Sequence, residues 1–324
     1  LIARGAIVRA RRVAPALVIA ITCGFATSLP FPALSVASTD DATLDVSEIS
    51  PGVFVHRGHD VALDAPGHDD IANIGFIVGT RCVAVVDTGG SVRTGRALRG
   101  AIGARTKLPV CYVIDTHVHV DHVLGNFAFA ADKPHFVGSA RLAAAVAASR
   151  AYFVEHYAGD FDGDASGGQV IAPDEPVADT RDIDLGGRVL HLRAWPNAHT
   201  DSDLTVLVDD KVLWTGDLVF RERVPALDGS LVGWLAALSE LAAIKAGWIV
   251  PGHGEPTRDL AAAIAEEKHY LDAIARGVRA ELDAGQPIEH AMQHVAQDEK
   301  SRWKLFDTAN AGNVSRAYRE LEWQ

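Results

Sequence analysis

From Pro51 onward the chain alternates short apolar runs with turn residues, then passes into helical periods. Residues 52–56, 73–79 and 82–87 have the length and composition of strands, with Thr80-Arg81 as a hairpin tip between the last two. Leu98, Ile102 and Arg105 recur at helical spacing and predict a helix over 93–106, followed by a buried strand over 110–115. Ser139 reads as the N-cap of an alanine-rich helix that ends near Tyr157. The polar, glycine-containing stretch 160–182 reads as a loop or insertion. Strand patterns return at 188–193, 204–208 and 212–214, the last two joined by Asp209-Asp210-Lys211. A helix over 230–246 leads to a strand at 248–250, and residues 257–324 are almost wholly helical in pattern. Strands and helices interleave, which predicts an α/β chain whose sheets are covered by helices.

Composition narrows the function classes. At 324 residues, 48% hydrophobic and 22% charged, the chain has the mass of one large or two small globular domains. Its formal net charge of −12 leaves no basic field for nucleic acid or anionic lipid. Cys23, Cys82 and Cys111 are too few and too scattered for a thiolate metal knuckle, so any metal here is held by nitrogen and oxygen. Arg4, Arg9, Arg11 and Arg12 precede an uncharged stretch over 13–39, the order of a secretory signal, with Ser35-Val36-Ala37 as the cleavage triplet. Pro15, Gly24, Pro30 and Pro32 cut that stretch below the roughly 20 residues of a membrane span. The expectation is a signal peptide over 1–37 and a periplasmic or secreted product with no stable membrane span.

The chemistry concentrates in Asp115-Thr116-His117-Val118-His119-Val120-Asp121-His122, directly after a predicted buried strand. In extended chain, alternation puts His117 and His119 on one face and Val118 and Val120 on the other. A bend at Asp121-His122 into the next helix brings a carboxylate and a third imidazole toward the same space. Imidazole and carboxylate together suit zinc, and also iron or manganese.

This HxHxDH segment resembles the hallmark of the metallo-β-lactamase superfamily. Later elements of that pattern follow in order: His199 in Asn197-Ala198-His199-Thr200, Asp217 in Thr215-Gly216-Asp217, and His253 in Pro251-Gly252-His253-Gly254. Asp87 in Val85-Val86-Asp87-Thr88-Gly89 matches the family's supporting aspartate. The resemblance implies a four-layer αββα sandwich over 45–256, with 257–324 as a helical extension packed on the core. It also implies two zinc ions, one on His117, His119 and His199 and one on Asp121, His122 and His253, with Asp217 bridging and Asp87 orienting a ligand from behind. A shared hydroxide would attack an ester, thioester, lactone or amide of a small-molecule substrate, Asp121 orienting the nucleophile.

Departures from the pattern narrow the branch. No cysteine follows Cys111, which excludes the β-lactamases that use a cysteine ligand and leaves at most weak β-lactam hydrolysis. The bridging Asp217 resembles the glyoxalase II, lactonase and sulfatase branches, but residues 257–324 lack obvious basic glutathione-binding residues. Segments 70–78, 121–126 and 313–322 look most like the SoxH-like quinoprotein relay system zinc metallohydrolases, which implies a link to a periplasmic quinoprotein system. Rival readings are an iron-dependent persulfide dioxygenase and a non-catalytic metal-binding accessory factor.

Other features carry less. Asp160, Asp162 and Asp164 imitate a calcium loop, but Ala165 and Ile171 stand where that loop needs Gly and Glu. His56, His59 and His68 read as exposed loop histidines near the substrate groove. Trp195 reads either as a wall of the pocket or as a buried aromatic at a strand end. Cys82 and Cys111 sit in strands that could be neighbours, which permits a disulfide in an oxidising compartment.

Overall fold

In the computed structural model, which describes residues 43–163 and 168–324, the central strands divide their side chains between an inner and an outer core. The first sheet runs, in spatial order, β1 (Ser47–Ser50), β2 (Val53–His56), β3 (Ile74–Val78), β4 (Val83–Val86), β5 (Val110–Ile114), β6 (His135–Ser139) and β7 (Glu175–Val177). Strands β1 to β4 are antiparallel neighbours; β5, β6 and β7 each add in parallel. The crossovers hold α1 (Val92–Arg105), the single turn α2 (Val120–Val123) and α3 (Leu142–His156). The second sheet is formed by β8 (Thr180–Asp184), β9 (Val189–Ala194), β10 (Leu204–Val208), β11 (Val212–Phe220) and β12 (Trp248–His253). Its one parallel pair, β11 with β12, is connected through α4 (Leu231–Leu241).

The two-residue period of a strand explains the layering. Ala84 and Val86 of β4 face the inner core with Ile114, Leu192, Val206 and Trp214, whereas Val83 and Val85 face the outer core under Leu98 and Ile102 of α1. On the far side, Leu213 and Ile249 face Trp234 and Leu238 of α4. The layers are therefore helix, sheet, sheet, helix, and the four-layer αββα arrangement is present.

The last part of the chain is helical: α5 (Leu260–Asp283), α6 (Ile288–His294) and α7 (Phe306–Leu321). On α5, Ile264, Glu267, Tyr270, Leu271, Ile274 and Val278 recur every three to four residues and bury one face against the second sheet's outer core. Polar anchors fix α7 in place. Asn313 donates to the Pro225 carbonyl and accepts from the Leu227 amide, and Glu320 accepts from the Leu231 amide at the start of α4, where Ser230 is the N-cap.

Four strands escape the hydrophobic pattern. β1, β7 and β8 are short and largely polar, and their signal comes from ladder partners rather than from their own side chains. β7 and part of β8 fall in the stretch expected to be loop. β6 displaces the expected helix start: Ser139 pairs with Val177 as the last residue of the strand, and α3 begins at Leu142 behind Arg141, with no side-chain cap. Ladder hydrogen bonds on both edges of β6 outweigh one capping bond. The segment expected to be a signal peptide, 1–37, lies outside the described residues. No helix among those described is long and apolar enough to cross a membrane. Cys82 and Cys111 are free thiols, and burial together with the adjacent Cys111 sulfur pushes the Cys82 thiol up to about 12.

His56 corrects the expectation of an exposed loop histidine. It is the last residue of β2 and is buried, with Nδ1 against the Asp45 carbonyl at 2.8 Å and Nε2 against the Asp70 carboxylate at 2.7 Å. Both partners only accept, so the doubly protonated ring satisfies both. Burial opposes the charge, but the Asp70 and Asp45 acceptors more than offset it and raise the pKa above the ordinary value. A raised native pKa adds stability that is complete below about pH 6.5 and is lost as pH rises through the native value. The stability deficit of His56→Gln, read from urea midpoints, should therefore shrink between about pH 6 and pH 9; a deficit independent of pH would contradict a charged His56.

Candidate metal centre

Every residue of the HxHxDH segment is placed by the end of β5. The chain leaves β5 at Ile114 and bends at His117-Val118, and His119 occupies the N-cap of α2 with β-region dihedrals, which brings the His117 and His119 rings to 4.8 Å of one another. Val120 and Val123 pack with Leu142, Val146 and Phe153 of α3, which orients the first turn so that Asp121 and His122 face the same space. His199 lies in a turn tied by Asp203, whose carboxylate accepts from both the amide and the hydroxyl of Thr200. Asp217 sits within β11 after a register shift at Gly216, whose φ of 51° is left-handed and whose missing Cβ would lie 2.7 Å from the Thr116 Cβ. Gly252, just before His253 at the end of β12, leaves room for Asp217: a Cβ there would sit 1.8 Å from Asp217 Oδ1.

These residues form two groups, each able to hold a metal ion: His117, His119, His199 and Asp217, and Asp121, His122 and His253. Asp217 touches both. Its Oδ2 lies 3.7 Å from His117 Nε2, 3.4 Å from His199 Nε2 and 3.4 Å from His253 Nε2, and its Oδ1 lies 3.2 Å from His122 Nε2. Asp121 Oδ2 lies 3.3 Å from His253 Nε2 and 3.6 Å from His122 Nε2.

The outward nitrogen of each ring is already committed. His199 Nδ1–H donates to the Ala226 carbonyl at 2.6 Å, His253 Nδ1–H to the Ile71 carbonyl at 2.8 Å, and His122 Nδ1–H to the Asp87 carboxylate at 2.8 Å. The Thr116 hydroxyl donates its one hydrogen to Asp87, so at 3.0 Å it accepts from His117 Nδ1–H. His119 is turned the other way, with Nε2–H on the Asp228 carboxylate at 3.2 Å and Nδ1 inward, 3.0 Å from His199 Nε2. Five imidazoles thus aim their inner nitrogens at one another and at two carboxylates. Among these inward atoms, His117 Nε2, His122 Nε2 and Asp217 Oδ1 are buried without a hydrogen-bond partner. Lone pairs converging in a buried site need cations between them, so the donor set fits metal ions, and its N and O atoms suit zinc, iron or manganese.

The local field agrees. Burial pushes the His117 pKa well down and takes His199 to about 3, which keeps both neutral. Burial also opposes charge on His122 and His253, but Asp217 beside both holds them above the ordinary value. Asp217 in turn is held well below the carboxylate range by His253, His122 and His117 despite its burial. This mutual bias is that of a site built around positive charge.

Residues 68–253, more than half of the chain, match the family model of the metallo-beta-lactamase superfamily. The chain belongs to that superfamily. Among solved structures, a metallo-beta-lactamase from Pontibacter korlensis is similar at 22% identity and a TM-score of 0.56, over 71% of this chain and 99% of that one. The stereoselective inverting sec-alkylsulfatase Pisa1 from Pseudomonas sp. is similar at 17% identity and a TM-score of 0.63, over 87% of this chain but only 51% of that one. Both likenesses concern the fold. No curated protein matches the chain.

As in an open α/β sheet, this superfamily member carries its ligand-type residues at the carboxyl ends of parallel strands, here β4, β5 and β12. They open into a cleft of about 570 Å³ that Asp121, Asp217 and His253 share with residues of α3 and α7. Asp87, with φ of 54°, accepts from the Thr116 amide, the Thr116 hydroxyl and His122, which puts it behind both His117 and His122. Trp195 is a buried aromatic bonded to Thr205 and does not line this cleft. His59 is exposed as expected, whereas His68 is half-buried and pairs with Asp160, and neither belongs to the two ligand groups.

Sequence reasoning missed Asp228 and Arg316. Asp228 holds His119 and is itself paired with Arg316 of α7, so the last helix reaches the metal centre through one carboxylate. The hydrogen bond from His119 and the Arg316 charge hold the Asp228 pKa at about 2. No local motif surrounds either residue. Outer partners of a ligating histidine typically support affinity by about 10–100-fold. Asp228→Ala should weaken metal binding within that range, and Arg316→Met should weaken it less, in competition titrations with a chromogenic chelator. Unchanged affinity in Asp228→Ala would show that His119 needs no such support.

Proposed function

We propose that the protein is a metal-dependent hydrolase with two zinc ions per chain, one on His117, His119 and His199, the other on Asp121, His122 and His253, sharing the Asp217 carboxylate. The observation that carries this reading is Asp217 itself, whose two oxygens lie 3.2–3.7 Å from imidazole nitrogens of both groups. When bound, such ions supply Lewis acidity and lower the pKa of water toward about 7.

The remaining work belongs to the chain. Asp121 lines the cleft, and although burial opposes its charge, His122 and His253 keep it ionised. In this reading it accepts a hydrogen bond from the attacking water and so orients it. Phe220 stacks on His253 at 5.1 Å and Trp234 stands edge-on to His199 at 5.2 Å, which keeps water from the far side of both ligands. Substrates of this reading are carbonyl compounds attacked by water: esters, thioesters, lactones or amides. The N-terminal arginine-then-apolar pattern supports action in the periplasm or outside the cell.

Wild-type protein stripped with a chelator should lose ester hydrolysis and regain it with two equivalents of zinc. Asp217→Ala should bind one equivalent fewer and lose activity by more than about 100-fold, beyond the effect of supporting residues. One metal equivalent in fully loaded wild type, or persulfide oxidation with oxygen uptake in the iron form and no hydrolysis in the zinc form, would overturn the assignment.

A further inference from the structure

One pair of histidines lies outside both ligand groups and outside the cleft. His290 and His294 stand four residues, about one helical turn, apart on α6 and so share a face. That face is the outer one. Ala291 and Val295 are buried in the core beneath the helix, whereas His290 is half-buried and His294 is exposed. The two rings stack with centroids 4.0 Å apart and planes 21° from parallel.

A helix of seven residues is marginal by itself, but α6 is tied down at both ends. Tyr318 of α7 donates to the Gln286 carbonyl just before it at 2.7 Å, and Asn310 of α7 donates to the Val295 carbonyl just after it at 3.1 Å. The rings are held as well. His290 Nδ1 meets the Glu281 carboxylate of α5 at 2.7 Å, and His294 Nδ1 meets the His290 carbonyl at 2.8 Å. Both partners only accept, so Nδ1 carries the hydrogen in each ring and the neutral ring keeps its lone pair on Nε2. Neither Nε2 has a hydrogen-bond partner among the described residues. The metal centre uses the same device at His199 and His253, where an acceptor ties one ring nitrogen and leaves the other for an ion.

We propose that His290 and His294 form a separate surface site that takes one divalent transition-metal ion through their two Nε2 atoms, with Cu(II) preferred over Zn(II). Metal–imidazole bonds of about 2.0–2.1 Å let one ion join two rings at this spacing. Imidazole suits both metals, and at a site that imposes no closed geometry affinity peaks at Cu(II). Water completes the coordination. The site stands apart from the hydrolase reading and takes no part in that reaction.

The test uses tag-free protein whose central groups have been filled with zinc and freed of excess. It is titrated with Cu(II) and followed by electron paramagnetic resonance together with metal analysis. One Cu(II) per chain should bind without release of zinc, with the hyperfine signature of imidazole nitrogen. His290→Ala and His294→Ala should each weaken that binding by about 100-fold, because either one removes the chelate. Glu281→Gln should weaken it about tenfold through the orientation of His290. In wild type the ion should also slow amide hydrogen exchange over residues 291–294, since it links successive turns of α6, and in either histidine variant it should not. Ester hydrolysis should be the same in wild type and both histidine variants before copper is added. Copper that enters only as zinc leaves, or copper binding of unchanged affinity in either histidine variant, would overturn the proposal.

Discussion

Five imidazole nitrogens and two carboxylates converge in a buried space with their outward hydrogens already spent. Asp87, Asp228, the Thr116 hydroxyl and the carbonyls of Ile71 and Ala226 each accept from one ring, which leaves the inner nitrogens facing one another and the Asp217 carboxylate at 3.0–3.7 Å across the centre. Such an arrangement is repulsive unless cations lie between the donors. The fold has to hold it together through other contacts, and most of the architecture around the site is explained by that requirement.

Both sheets contribute, so their packing sets the distances. The inner core joins Ala84, Val86 and Ile114 of one sheet to Val206, Trp214 and Val250 of the other, directly below the strand ends that carry Asp87, His117, Asp217 and His253. Close approach is bought by glycine at two positions, Gly216 against Thr116 and Gly252 against the Asp217 carboxylate. The C-terminal helices belong to the same construction. Asn313 fixes the loop through Pro225 and Leu227, Arg316 pairs with Asp228, and residues 308–316 of α7 form one wall of the cleft. The cleft is therefore walled by both the sandwich and its last helix.

The legible parts of the molecule are those whose information is local. Buried strands such as β3, β4, β10 and β12 announce themselves by apolar runs, and HxHxDH compresses four ligand-type side chains into six positions at a strand end. The helical character of 257–324 follows from its own period. Edge strands β1, β7 and β8 carry few buried side chains and exist because a neighbour supplies hydrogen bonds, so nothing local marks them. Ser139 misleads for a related reason, since pairing with Val177 competes with capping. His56 looks like a loop residue until Asp70, 14 positions away, closes over it. Asp228 and Arg316 are the same case at the site: each acts through a partner distant in sequence, and charge alone does not distinguish them from solvated surface residues.

Anomalous diffraction at the zinc edge from crystals of zinc-loaded protein tests the central claim most directly, because it locates ions without reference to activity. Two peaks about 3.5–4 Å apart are expected, one among His117, His119 and His199 and the other among Asp121, His122 and His253, each in contact with an oxygen of Asp217. A single peak, or two peaks of which one lies out of reach of Asp217, would contradict the shared carboxylate on which the site depends.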